Sequence, residues 1–568
     1  MKSFRLVFLV NLTLWLFLLP SLYGQSKDAI PLGIERNLPQ ESLPVIQRGL
    51  SADQIAEREQ RAGVHKPGTA MLAGFNIDLG IFPIHESKRE LVNGNTSVWR
   101  LVVHSPGALG LGLVFDSFVL KEGERLFVYT PNREVVHGPF DSSNNSPSGM
   151  VSIPISTGDS LIIEFEAPYR LQDGVSPTQG SFRLKSLIHI VYGGGLENAV
   201  SLKGIGAAGP CNVNINCPEG LLWQQQKRGV ARMLMRVGTS WFWCTGTLIN
   251  NTRNDGAMLF LTAHHCGPGA TVQDLEVWQF FFNFERPGCD NLGDVPTGQM
   301  LSGAEILASA LLSNGSDFKL LRLNQTAPRE WNLFWNGWDR SEDPSHSGVS
   351  IHHPGGDVKK ISTYWETTTQ ATPNIGGQIM APNSAWRVTW APTLNGHGVV
   401  EGGSSGSPLF NTDGLIIGTL VGGVSSCTQR HLPDFYGRFS HHWNKNGTHP
   451  SISLAPHLDP VATGAITLSG FDPNQTSIPD PRENQVLIAS LFPNPAAGMV
   501  YIRFSKNIPF ADIYLLNVNG SQVHRQQARD IQAGDRIMFP LHGFTQGVYF
   551  FRIYTPQATE VLRLIIVN

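Results

Sequence analysis

Three short stretches of the chain carry residue types suited to nucleophilic catalysis. The first is EGGSSGSPLF, residues 401–410, in which Gly402, Gly403 and Gly406 surround Ser405. Glycines let the backbone bend until nearby N–H groups converge on one point, and they leave room for a substrate carbonyl. The second is LFLTAHHCGPG, residues 259–269. The apolar run Ala257 to Leu261 reads as a buried strand that delivers His264, His265 and Cys266 at its end. An imidazole fixed by such a strand, with a cysteine staple beside it, is placed to act as a general base. The third is GSDFKLLRLN, residues 315–324, where Asp317 precedes an alternating strand. An aspartate behind a catalytic histidine holds its tautomer and stabilises the imidazolium. Asp317 follows His265 by 52 residues, and Ser405 lies a further 88 along.

Taken singly, each stretch has a plainer reading: a Gly/Ser turn, a solvated histidine pair, a turn aspartate. Their combination inside one strand-rich, cysteine-bearing segment favours the chemistry. The pairs His352–His353 and His441–His442 lack such a setting and are expected on solvated loops. Metal binding is disfavoured, because adjacent side chains on a strand point to opposite faces and no C-x-x-C pair exists.

The elements that must position these residues are strands. The 568 residues suggest roughly three or four domains, and 59 Gly, 37 Pro and only 15% charged residues favour strands joined by turns. A net charge of −3 with no basic block excludes a nucleic-acid partner. Lys2 and Arg5 precede an apolar stretch from Leu6 to Pro20, which reads as a secretory signal over 1–24. Residues 25–203 form a β-rich region, within which the strand-like runs from about 70 to 190, SVWRLVVHSPG and DSLIIEFEAP among them, are expected to be an independent sandwich-like unit. GALGLG at 107–112 lacks a following helix and reads as a turn rather than a nucleotide loop. A cysteine-bearing segment covers 204–473, a Pro-rich linker 474–486, and an alternating C-terminal unit 487–568. The six cysteines, 211, 217, 244, 266, 289 and 427, read as a disulfide set with fifteen possible pairings.

The His, Asp, Ser order is that of chymotrypsin-type enzymes rather than subtilisins or α/β-hydrolases. Residues 204 to about 473 resemble the lysyl endopeptidases through GPCNVNINCPEG, CTGTLINN, FLTAHHCG, SDFKLLRLN, NLFWNGWDR, IHHPGG, GSSGSP and DFYGR. The resemblance implies an all-β chain with a chymotrypsin-like double β-barrel, flanked by a β-rich propeptide and a C-terminal β-sandwich. It implies a triad of His265, Asp317 and Ser405, with His264 structural and an oxyanion site at the N–H groups of Gly403 and Ser405. It also implies pairings Cys211–Cys427, Cys217–Cys289 and Cys244–Cys266, and a specificity carboxylate, Asp434, that favours a cationic side chain before the scissile bond. Peptide cleavage after lysine is the expected reaction, without cofactor or metal, by a secreted monomer acting on proteins and peptides. The alternatives are broader Lys/Arg or other specificity, or a non-catalytic adhesin on the same scaffold.

The sequence departs from these families at four places. Ser404 stands where trypsin-like zymogens carry an aspartate, and Val399 where trypsin has its pocket acid. Val421 replaces a lysyl endopeptidase histidine, and ATPNIGGQIMAPN lacks the tryptophan that stacks on it. Lys203–Gly204 sits where the mature N-terminus is expected, and cleavage there would be self-processing. The C-terminal SLFPNPAAGMVYIRF, GVYFFRIY and EVLRLIIVN resemble the type IX secretion sorting domain, which implies an outer-membrane export machinery as partner.

Overall fold

The computed structural model describes residues 29–62, 69–169, 182–192, 208–290, 299–474, 489–518, 521–555 and 559–567. The expected signal segment, the Lys203–Gly204 junction and nearly all of the linker lie outside the described residues.

His265 and Asp317 are delivered by two paired strands, Leu259–Thr262 and Phe318–Leu323, which run antiparallel with Leu261 opposite Leu320. Both strands bury apolar residues on both faces, as alternation directs. Leu259, Leu261, Phe318 and Leu320 point into a core shared with Val349, Ile351, Phe410 and Ile416 of the second barrel. Phe260, Leu321 and Leu323 point the other way, into the first barrel among Met233, Phe280 and Trp278. Each fully buried side chain of this kind contributes about 1.5–3 kcal/mol, so the site rests on firmly packed strands.

The first barrel is completed by Val230–Val237, Ser240–Leu248, Gln279–Phe282, Gln299–Ser302 and Ala304–Ala310. The second is built on a ten-stranded sheet that includes Gly348–His352, Lys360–Tyr364, Pro408–Asn411, Ile416–Gly423 and Asp434–Arg438. Ser405 lies on the loop entering Pro408–Asn411. Three disulfides join Cys211 to Cys427, Cys217 to Cys289 and Cys244 to Cys266.

The N-terminal region differs from an independent unit. One of its sheets, of six strands, is separate, but the strands Met71–Ile81, Gly110–Asp116, Val151–Thr157 and Arg183–Ile190 continue the sheet of the first barrel. The junction is antiparallel pairing of Met71–Ile81 with Ser240–Leu248, in which Phe75 faces Ser240 and Met71 faces Trp243. An exposed sheet edge is a ready template for such strand addition. GALGLG turns at Gly107 and then enters Gly110–Asp116. A helix, Ala52–Ala62, interrupts the β pattern. Its start is a capping box: Ser51 Oγ accepts from Gln54 N–H at 3.2 Å, and Gln54 Oε1 accepts from Ser51 N–H at 2.9 Å. The C-terminal unit stacks a three-stranded sheet on a four-stranded one around Val500, Ile502, Ile513, Phe539 and Phe551.

Cys244–Cys266 closes a separation of 22 residues between the barrel strand and the residue after His265. Replacing both cysteines by alanine is expected to lower unfolding stability by about 3 kcal/mol, read from denaturant midpoints. An unchanged midpoint would show that the histidine loop does not depend on this staple.

Candidate active site

Asp317 uses both carboxylate oxygens on one residue. Oδ2 lies 2.7 Å from His265 Nδ1, and Oδ1 accepts the backbone N–H of His265 at 3.0 Å. Two contacts from one carboxylate fix the position of the imidazole as well as its tautomer, with the proton on Nδ1. The aspartate is 0% exposed and the histidine 5%. Asp317 has a left-handed backbone (φ 61°), a conformation that Asp tolerates better than most residues. Its loop is held by Ser316 Oγ against His442 Nδ1 at 2.8 Å, and His442 Nε2 reaches Thr419 Oγ1 at 3.0 Å.

His265 Nε2 is buried and, among the described residues, has no hydrogen-bond partner. The Ser405 loop is the adjoining wall: Ser405 O accepts Thr245 N–H at 2.8 Å and lies 3.6 Å from Cys266 Sγ. His264 turns aside, with Nδ1 2.8 Å from Ser309 Oγ. Lys319 Nζ donates to Cys266 O at 2.5 Å and Gly267 O at 3.1 Å, so it clamps the chain just after the histidine; burial pushes this amine down to about 7.

Thr245 is the hub that sequence reasoning missed. Besides its N–H bond to Ser405, its Oγ1 donates to Gly403 O at 2.9 Å and accepts His353 N–H at 3.1 Å, while Thr262 Oγ1 donates to Thr245 O at 2.8 Å. Its only sequence signal was membership of CTGTLINN. Within the Ser405 loop the N–H groups of Ser404, Gly406 and Ser407 are spent on Glu401 O, Leu420 O and Ser404 O. The N–H groups of Gly403 and Ser405 carry no such bond among the described residues. Gly403 has φ 90°, and a Cβ there would stand 2.7 Å from Gly356 N. At Gly406 (φ 81°) a Cβ would stand 2.1 Å from Thr262 Oγ1, so only glycine fits either place.

Asp434 is buried one strand away from the Ser405 loop. Gly406 N–H donates to Leu420 O, and the strand carrying Leu420 pairs Gly423 with Asp434. Asp434 Oδ2 accepts Trp390 Nε1 at 2.6 Å and Ser425 Oγ at 2.5 Å. Burial outweighs these donors and raises the carboxyl to about 6. A Cβ on Gly423 would fall 2.0 Å from Asp434 Oδ1, so bare backbone covers the carboxyl.

The positions singled out as departures in the sequence are packed. Val421 joins Leu312, Ile375, Met380 and Ala385 in a small apolar cluster. Val399 is buried, and its carbonyl accepts Ser362 Oγ at 3.1 Å. Ser404 Oγ lies 2.8 Å from His352 Nδ1, and His352 Nε2 lies 2.9 Å from Ser362 Oγ. The expectation of solvated histidine loops is therefore corrected: His352, His353 and His442 are fully buried. Burial lowers His352 to about 3, which keeps it neutral, and its two serine partners satisfy a ring that would otherwise be costly inside.

Comparison with known proteins finds similarity in two parts of the chain. Residues 205–437 match the family model described as lysyl endopeptidase, C-terminal domain, and residues 490–568 match the secretion system C-terminal sorting domain. A lysyl endopeptidase of Pseudomonas aeruginosa is 31% identical over 307 residues, covering 50% of this chain and 61% of that protein's length. Similar solved structures include a thermostable serine protease from an extremophilic microorganism, at 14% identity and TM-score 0.27, covering 38% of this chain and 93% of that one. A protease from Arthrobacter nicotinovorans is 17% identical at TM-score 0.27, covering 37% and 90%.

Thr245→Val keeps the side-chain shape but leaves Gly403 O and His353 N–H without their partner. A loss of about 1–3 kcal/mol in unfolding stability is expected, and no change in the denaturant midpoint would contradict the hub assignment.

Proposed function

From a lysyl endopeptidase C-terminal domain over 205–437 and a secretion sorting domain over 490–568, we propose that this chain is a secreted serine endopeptidase that cleaves after lysine. The observation that carries the reading is the Asp317 carboxylate bridging the ring and backbone of His265 beside the clamped Ser405 loop.

In this reading His265 Nε2 takes the proton of Ser405 Oγ as that oxygen attacks the scissile carbonyl. The imidazolium formed is stabilised by buried Asp317 and then returns the proton to the leaving amine. The negative oxygen of the tetrahedral intermediate is met by the N–H groups of Gly403 and Ser405, where one donor is worth about 3–4 kcal/mol. Water, deprotonated by the same imidazole, then releases the acyl group and frees Ser405.

Ionised Asp434 supplies the attraction for a lysine ammonium. A second reading, a broader choice at this subsite, is motivated by Val421, whose apolar cluster stands where lysyl endopeptidases keep an aromatic pair.

Residues 25–203 are proposed to be a propeptide held on the catalytic domain by strand addition. Met71 lies 3.4–3.5 Å from where a Cβ on Gly402 would stand. The cavity at His265 is lined in part by Arg58, Arg61, Thr69 and Ala70 of that region. Release would expose the cleft, and cleavage at Lys203–Gly204 by the enzyme itself is the proposed route.

The secreted chain is expected to hydrolyse Lys amides, with Ser405→Ala inactive and left unprocessed when analysed by mass spectrometry. A processed and active Ser405→Ala protein would exclude the triad, and equal rates on Arg substrates would exclude lysine preference. A further expectation concerns pH. Asp434 is ionised above about 6 and gains a proton as pH falls through that value. The kcat/KM ratio for a Lys substrate over an uncharged isostere should therefore fall below about pH 6, because His265 affects both substrates alike. A ratio constant from pH 5 to 8 would remove Asp434 from substrate recognition.

A further inference from the structure

The segment from Ala208 to Asn212 enters the second barrel beside the nucleophile loop, where buried Asp357 and half-buried Glu401 hold it. Gly209 N–H donates to Glu401 Oε2 at 2.9 Å, and Asn212 Nδ2 donates to the same oxygen at 3.0 Å. Ala208 N–H donates to Asp357 Oδ2 at 3.2 Å. The fit is close: a Cβ on Gly209 would stand 2.5 Å from Glu401 Oε1 and 2.6 Å from Cys427 Sγ. Burial raises the pKa of both carboxyls, so these donors offset part of the cost of taking them out of water.

Both carboxylates belong to the two glycine loops of the site. Glu401 directly precedes Gly402 and Gly403; its carbonyl accepts Ser404 N–H at 3.0 Å, and its own N–H donates to Ser404 Oγ at 3.3 Å. Asp357 directly follows Gly355 and Gly356, and Gly355 N–H donates to Gly402 O at 2.6 Å. The Glu401 side chain thus joins the chain arriving at Ala208 to the peptide expected to present the Gly403 N–H. Proton transfer in the mechanism above uses neither carboxylate.

We propose that Glu401 is a positioning residue for the oxyanion loop, its carboxylate clamped by Gly209 and Asn212 so that the Gly403 N–H is aimed at the substrate carbonyl. The proposal rests on the endopeptidase reading and adds to it that residues 208–212 act as part of the active-site scaffold. Ser404 cannot receive a chain-terminal amine as an aspartate would, and the Glu401 clamp supplies a fixed internal support for the same loop.

The test uses protein expressed as the full chain and processed, with its active sites counted by titration, and a Lys amide substrate. Glu401→Ala removes the acceptor, whereas Glu401→Gln keeps an oxygen for both donors. Misplacing one oxyanion donor is expected to lower kcat by about 10- to 100-fold in Glu401→Ala, with KM within about twofold. Glu401→Gln is expected to stay within about threefold of the unaltered kcat. The proposal is overturned by an unchanged kcat in Glu401→Ala, by a loss confined to KM, or by a Gln variant as weak as the Ala variant. If Glu401→Ala does not accumulate as folded protein, Asn212→Ala removes one donor from the same oxygen. It should lower kcat about three- to tenfold at constant KM, and an unchanged kcat would again overturn the proposal. Activity of the unaltered chain and its loss in Ser405→Ala, in the same assay, keep failure of the endopeptidase reading separate from failure of this one.

Discussion

The two barrels approach most closely where Gly406 of the Ser405 loop lies against Thr262 and Thr245 of the first barrel, with no room for a Cβ. A Cβ on Gly406 would collide with Thr262 Oγ1 and with Thr245 O, at 2.1 and 2.5 Å. This approach lets Thr245 of the first barrel hold two carbonyls of the second, those of Gly403 and Ser405. The Ser405 loop is therefore held against the first barrel by the backbone N–H and the side-chain hydroxyl of one residue, Thr245. Such a joint suits a reaction whose rate falls steeply with small displacements of the reacting groups.

Around that joint, buried polar groups are paired outward in successive layers. His442 ties the Asp317 loop to Thr419, Lys319 ties the His265 loop to its own strand, and His352 ties Ser404 to Ser362. Each tie crosses between elements that the hydrophobic core alone would leave free to slide. Val421 packs in the same region, in an apolar cluster with Leu312 and Met380.

Much of this was legible in the sequence where local chemistry is distinctive. The Gly/Ser run at 401–407, the histidine at the end of an apolar strand and the acid before an alternating strand are all short-range patterns. The all-β character followed from alternation and turn residues, and the capping box at Ser51 and Gln54 was also there to be read, although the helix it starts was not expected. What stayed hidden depends on contacts far apart in sequence. Thr245 looks like any strand threonine until Gly403, 158 residues away, is brought to it. The histidine pairs at 352–353 and 441–442 read as solvated because their serine partners, Ser404 and Ser316, are distant in the chain. The joining of the N-terminal sheet to the first barrel was equally unreadable, since a free edge and a paired edge have the same alternating pattern.

The central claim is that the Ser405 hydroxyl is made reactive by the imidazole held on Asp317. Its most direct measurement is covalent: the protein and its His265→Ala variant, both freed of the N-terminal region by the same added protease, are treated with a fluorophosphonate, and the adduct is located by peptide mass spectrometry. A single adduct on Ser405 is predicted, formed at least about a thousandfold more slowly in His265→Ala. An adduct on another serine, or an unchanged rate without the imidazole, would contradict the account.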